Sequence, residues 1–214
     1  PGTASFRTPA SPGSCPLGTR KMLIFRDLME PPQSGWALGS QAGVNTWQVS
    51  AGRASSPTRS WRATDFSSTT DQALDSPLIM LPAATDRPVL SFRHWRNIER
   101  RDAALCWDGA VLDLVTLAGA VQAVDPERFQ FGGPQRLMAP SSPAAGRPAW
   151  CGLSDFETTY LDLRDVANAP FRARFRMLSD ARIGAEGWYV DDVQVHSCVN
   201  QDVLFRNGMG AEPN

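Results

Sequence analysis

The segment PFRARFRML, residues 170–178, alternates strictly: Phe171, Ala173, Phe175 and Met177 fall on one side, Arg172, Arg174 and Arg176 on the other. A period of two belongs to an extended strand with one core face and one wet face. A helix would instead turn Ala173 away from Phe171 and Phe175. No stretch of the chain carries a sustained apolar period of 3.6. Seventeen glycines and 17 prolines interrupt it at short intervals, which leaves room for strands but not for long helices. Further strand-like runs lie between the interruptions, at Met22–Phe25, Thr46–Val49, Ser60–Ala63, Leu78–Leu81, Val89–Trp95, Ala110–Leu117, Thr158–Leu163 and Trp188–His196. About eight to ten strands without a helix predict an all-β chain folded as a sandwich or jelly roll. With 214 residues, 42% of them hydrophobic, there is ample material for such a core.

Three zones follow from composition. Residues 1–20, rich in Pro, Gly, Ser and Thr, read as a flexible N-terminal lead. Residues 21–198 read as the β-sandwich domain, and 199–214 as a C-terminal extension with one strand-like run, Val203–Phe205. The stretch Asp125–Gly152 is dense in Gly and Pro and predicts a long loop. The run Trp188–His196 places Tyr189, Asp191, Val193 and Val195 on one face and Trp188, Val190, Asp192 and Gln194 on the other. An Asp pair inside an apolar strand costs free energy unless a cation or hydrogen-bond donors satisfy it.

Net charge is −1, so the chain lacks the basic excess that drives binding to nucleic acid or anionic membranes. No run approaches the apolar length of a membrane span. The chain opens on Pro1, so any start methionine or signal peptide is removed or lies outside this sequence, and targeting is read from the cysteines. Cys15, Cys106, Cys151 and Cys198 are even in number and far apart, with no C-x-x-C pair and no histidine at ligand spacing. That pattern excludes a zinc ribbon and points to two disulfides in an oxidising compartment, hence to secretion. Their spacing leaves all three connectivities open.

Catalytic signatures are missing. There is no H-E-x-x-H, no G-x-S-x-G, no phosphate loop and no dinucleotide fingerprint. His94 and His196 lie inside strand patterns, as packed structural residues do. Asp155, Glu157 and Asp162 do not follow the E-x-D-x-x-E order of lectin-like glucanases. A β-sandwich hydrolase would have to draw on Glu99, Asp102 and Asp108, which requires them to converge in a cleft. Tryptophans at 36, 47, 61, 95, 107, 150 and 188 suit either a β core or, where exposed, a surface that stacks on sugar rings. The arginine stripe Arg172, Arg174 and Arg176, with Arg93 and Arg96, is a candidate ligand surface for acidic glycans; a solvated sheet face explains it equally.

Taken in order, LIFRDLMEPPQSGW, SWRATDFSSTTDQALDSPLIMLPA, RPVLSFRHWRNIERRDAALCWDGAVLDL, AGRPAWCG, TTYLDLRDVA and FRARFRMLSDARIGAEGWYVDDVQVHSC span residues 21–198. Together they resemble the jelly-roll modules, related to MAM domains, that follow the catalytic domain of immune inhibitor A-type secreted metallopeptidases and occur in other large bacterial exoproteins. GWYVDDVQV is the most specific piece. Two departures stand out: Asp27-Leu28-Met29-Glu30 is one residue longer than the family's opening D-F-E, and Val115-Thr116-Leu117-Ala118-Gly119 lacks the family's Asp-Gly turn. The resemblance implies a two-sheet antiparallel jelly roll of concanavalin A-like or MAM-like type, with Cys15 paired to Cys198 and Cys106 to Cys151. It also implies a structural calcium ion, with candidate ligands Asp27, Glu30, Asp191 or Asp192, and Asp65 or Asp71. The implied role is that of a non-catalytic extracellular accessory module, which stabilises a larger secreted protein through its other domains or contacts protein or glycan surfaces. A tryptophan-based carbohydrate-binding module and the carboxylate hydrolase are the alternatives.

Overall fold

The structure, a computed structural model, describes residues 11–32, 35–82, 86–166 and 169–200. Among them are fifteen strands: β1 (Thr19–Asp27), β2 (Ala37–Ala42), β3 (Gln48–Ser50), β4 (Ser60–Ala63), β5 (Thr70–Asp75), β6 (Asp86–Ile98), β7 (Leu105–Cys106), β8 (Gly109–Thr116), β9 (Val121–Ala123), β10 (Phe129–Phe131), β11 (Arg136–Met138), β12 (Pro148–Ala149), β13 (Gly152–Asp162), β14 (Phe171–Ser179) and β15 (Gly187–Asn200). Two antiparallel sheets form the sandwich. One runs β10-β13-β6-β15-β4-β3, with β1 also on β15; the other runs β2-β5-β14-β8-β9. Strands β12, β11 and β7 make a small third sheet.

The alternation of β14 is realised on its inner side: Phe171, Ala173, Phe175 and Met177 are buried. They meet Phe92, Leu90, Trp188 and Val190 of the other sheet in one core, and each fully buried Phe, Leu, Val or Met side chain among them contributes about 1.5–3 kcal/mol. Aromatic rings hold its centre, with Trp188 5.8 Å from both Trp47 and Phe175 and 6.0 Å from Trp150. The outer side departs from the expected wet face. Arg174 forms a fork on Asp75 at 2.6 and 2.7 Å and Arg176 bridges Asp71 and Asp113, so cross-strand ion pairs hold these two, while Arg172 donates to Ser76 O at 2.7 Å.

Strand β1 pairs with β15, which places the first and last strands side by side with Lys21 opposite Cys198. Cys15 is bonded to Cys198 and Cys106 to Cys151, with Cα atoms 5.4 and 5.8 Å apart. Strand β1 begins at Thr19, ahead of residue 21, and β15 runs on to Asn200. The run Val203–Phe205 lies outside the described residues.

Two local expectations are corrected, and two strands, β2 and β5, went unread. Leu78–Leu81 is no ladder strand: Pro77 and Pro82 flank it, and Ile79 alone exchanges two backbone bonds with Phe171. Strands β2 and β5 carry no alternation in sequence, because β2 is exposed along most of its length and β5 is buried on both faces. The Asp125–Gly152 stretch is not wholly irregular. It holds a 3-10 turn (Pro126–Arg128) and the short strands β10, β11 and β12.

Candidate functional site

Acidic residues gather at two places. At the first, Asp27 ends β1, Glu30 follows it, and Asp191 and Asp192 sit on β15. Asp27 accepts from Met29 N–H and from the Trp36 indole, each at 2.7 Å. Glu30 accepts from Thr58 N–H, Thr58 Oγ1 and Arg59 N–H at 2.7–2.8 Å, which holds its carboxyl below the usual range. Asp191 is fully buried and takes Ser55 N–H at 2.6 Å, Ser56 N–H at 3.1 Å and Asp192 N–H at 2.8 Å. Burial nevertheless pushes its carboxyl up to about 6. Asp192 accepts from the Ser56 hydroxyl. Backbone amides, the Trp36 indole and the Thr58 hydroxyl thus meet the carboxylates of Asp27, Glu30 and Asp191, and these residues, with Asp192, form no cluster of three carboxylates close enough to share an ion. As the structure stands, the set does not fit a calcium shell.

The other two residues implied for that site lie elsewhere. Asp71 is in the opposite sheet, forked by Arg176. Asp65 follows β4 and belongs to the second acidic group.

In that second group, Glu99 follows β6, Asp108 lies in the Cys106-Trp107-Asp108-Gly109 turn, and Asp180 follows β14. One carboxylate oxygen from each lies within 4.8 Å of the others. Asp65 backs them, its oxygens accepting from Ser179 Oγ at 2.9 Å and Glu99 N–H at 3.0 Å. Asp108 is fully buried and Asp65 is 2% exposed. Burial, then the neighbouring Asp65 carboxylate, pushes the Asp108 carboxyl up to about 9. Burial, then Asp180 and Asp65, raises Glu99. The loop between β14 and β15 presses on this group, with Ala185 N–H donating to Asp65 O at 3.2 Å. Two glycines allow the approach. A Cβ on Gly187, at φ +106°, would stand 1.9 Å from Ala63 O, and one on Gly184 would stand 2.4 Å from Asp65 O.

Of the carboxylates a hydrolase would need, Glu99 and Asp108 converge, but Asp102 does not. It is exposed and accepts from Ala104 and Leu105 N–H. Asp108 is sealed from solvent, so no substrate reaches it. The histidines are structural. His94 accepts the Trp188 indole N–H at Nδ1 (3.1 Å) and its Nε2 meets Thr159 Oγ1 at 3.0 Å; burial holds its pKa well below the ordinary value.

Beside Asp180 a surface cleft of about 420 Å³ opens, lined by Trp107, Thr69, Ser141, Ser142, Asp180 and Arg182. Trp107 is half-buried, and the Ser142 hydroxyl is buried without a hydrogen-bond partner. Trp47, Trp61, Trp95, Trp150 and Trp188 are buried, and Trp36 is tied to Asp27, so among the seven tryptophans only Trp107 lines this cleft. Neither Asp180 nor Ser142 stood out in the sequence. For Asp180 a signal existed: an acid directly after an alternating strand, followed by a glycine-bearing loop. Ser142 had none.

No protein-family model matches the chain, and no curated protein does. Solved structures do. The K3 cleaved adhesin domain of Lys-gingipain from Porphyromonas gingivalis W83 matches with a TM-score of 0.50 at 13% identity, over 83% of this chain and 99% of that one. The likeness is one of fold. The CBM22-1 xylan-binding domain from Paenibacillus barcinonensis Xyn10C matches at a TM-score of 0.45 and 12% identity, over 84% of this chain and 96% of that one. The two-sheet antiparallel β-sandwich is therefore shared with the gingipain adhesin domain.

Proposed function

We propose that this chain is a non-catalytic extracellular binding module, the MAM-like accessory unit of a larger secreted bacterial protein of the metallopeptidase kind, and that it contacts glycan surfaces through the Trp107 cleft. The observation that carries this reading is the cleft itself. A half-buried indole beside Ser141, Ser142, Asp180 and Arg182 offers an apolar face for a sugar ring, with hydroxyl, carboxylate and guanidinium groups around it for its hydroxyls. Two disulfides support an oxidising compartment. Among the described residues no helix is long and apolar enough to cross a membrane.

Affinity electrophoresis tests the reading, with xylan, a neutral β-glucan and polygalacturonate cast into native gels. Retardation by at least one polymer, lost in Trp107→Ala, is the expected result. Unchanged mobility in all three, or retardation that survives in Trp107→Ala, removes the cleft as a glycan site. The arginine stripe makes a weaker second surface, because Arg174 and Arg176 already hold Asp75, Asp71 and Asp113.

A further inference from the structure

We propose that Glu99, Asp108 and Asp180, backed by Asp65, form a site for a structural calcium ion that ties the ends of the two main sheets together. Three observations carry it, none of which depends on the glycan reading. The first is convergence. Glu99 and Asp65 come from ends of the β6 and β4 sheet, Asp180 from the end of β14 in the other sheet, and Asp108 from the turn that leads into β8. Oxygens within 4.8 Å of one another match the separation of ligands that each lie 2.3–2.6 Å from a common calcium.

The second is an unspent acceptor. Asp108 Oδ1 takes the Asp180 N–H, but Asp108 Oδ2, buried in a fully enclosed residue, faces the Asp65 carboxyl and meets no N–H or hydroxyl donor, and Glu99 Oε2 is likewise buried without a donor. Unfilled carboxylate oxygens at such a place cost free energy until a cation or proton meets them. The third is charge. Among the described residues no Arg, Lys or His forms an ion pair with Asp65, Glu99, Asp108 or Asp180, whereas Asp71, Asp75 and Asp113 all have one. All the donors are oxygens, which selects a hard cation and disfavours zinc or copper. The acidic group at Asp27, Glu30 and Asp191 has the opposite character, because N–H donors already fill it. The rival arrangement is a proton shared by Asp65 and Asp108 with no metal.

The test uses the whole chain, stripped with EGTA and titrated with CaCl₂ while its melting temperature is followed. Tb³⁺ emission excited through tryptophan is a second readout, since Trp107 adjoins Asp108. At a hundredfold excess of calcium over Kd, the melting temperature should rise by about 5–10 °C. Asp108→Asn and Glu99→Gln should each abolish the rise and the Tb³⁺ signal, whereas Glu30→Gln should keep both. Two replacements guard against a single variant that fails to fold. The proposal falls if calcium leaves the wild-type melting temperature unchanged, if the rise survives in Asp108→Asn, or if Glu30→Gln alone removes it. A calcium-indifferent protein in which Asp108→Asn melts at or above wild type would assign the shared proton instead.

Discussion

The two acidic groups use the same side chains in opposite ways. Around Asp191, the chain at Ser55, Ser56 and Asp192 points backbone N–H groups at the carboxylate, so a buried charge is met by donors that are themselves in need of acceptors. Around Asp108, the neighbours are other carboxylates, and one oxygen meets no donor. Burial raises the carboxyl pKa at both, to about 6 at Asp191, where three backbone amides oppose it, and to about 9 at Asp108, where the Asp65 carboxylate adds to it. A buried acid is therefore no metal ligand by virtue of burial alone; what decides is whether the backbone has already filled it.

That contrast can be broken by experiment. The largest effects should come from the disulfides. Replacing Cys15 and Cys198 with Ala should cost about 5 kcal/mol, and replacing Cys106 and Cys151 about 4 kcal/mol, on the chain-entropy relation for these loops. Urea unfolding without reductant measures both. Only the second pair should also alter the calcium response, because Cys106 lies two residues from Asp108.

Next, Asp191→Ala should lose about 3 kcal/mol by stranding the N–H groups of Ser55, Ser56 and Asp192, equally in calcium and in EGTA. In EGTA, Asp108→Asn should shift stability by about 1 kcal/mol or less, since the amide removes a buried carboxyl that has no ion-pair partner. Equal losses in both variants would erase the distinction between the two groups.

Acid sensitivity separates the carboxyls from the histidines. Burial, with Lys21 nearby, holds His196 at about 4 against its ordinary 6.5. The folded state therefore binds fewer protons there than the unfolded one. The stability that His196 contributes is complete above pH 6.5 and is lost as pH falls through 4. Asp191, raised from 3.8, has the reverse sign: its contribution is complete below 3.8 and is lost as pH rises through 6. A fall in melting temperature between pH 6.5 and about 5, above the range in which carboxyls such as Glu30 take up protons, thus belongs to the buried histidines His94 and His196, and His196→Gln should reduce it. A steeper slope in that variant would assign the loss to the acids. The smallest effect should be that of Trp107→Ala on stability, within about 0.5 kcal/mol for a partly exposed side chain outside the core.

Particular residues show how far the pattern of the chain could be read. PFRARFRML was legible because four apolar side chains at a period of two face a single core. Trp188–His196 was legible as a strand but not in its faces: the register shifts between Asp191 and Gln194, with Asp192 at φ +50°, so Trp188 and Val190 share the core with Val193 and Val195. TDQALD in β5 was not, since Asp71 and Gln72 are buried through partners 105 residues downstream in Arg176 and 26 upstream in Thr46, and no local period records that. Leu78–Leu81 read as a strand on hydrophobicity alone, until its flanking prolines removed the ladder.

Alternation, frequent Gly and Pro, and four distant cysteines suffice for an all-β sandwich and point to an oxidising compartment, because each of these acts locally or through composition. The fate of each carboxylate could not be read that way. Asp27, Glu30, Asp191 and Asp192 sit in the motifs that suggested calcium, yet N–H and hydroxyl donors as far as 136 residues away in sequence meet them. Asp108 and Asp180, 72 positions apart, meet only when the β7–β8 turn and the end of β14 fold against each other. Charge and hydrogen bonding depend on distances of a few ångström between segments remote in the chain, and those distances exist only in the packed fold.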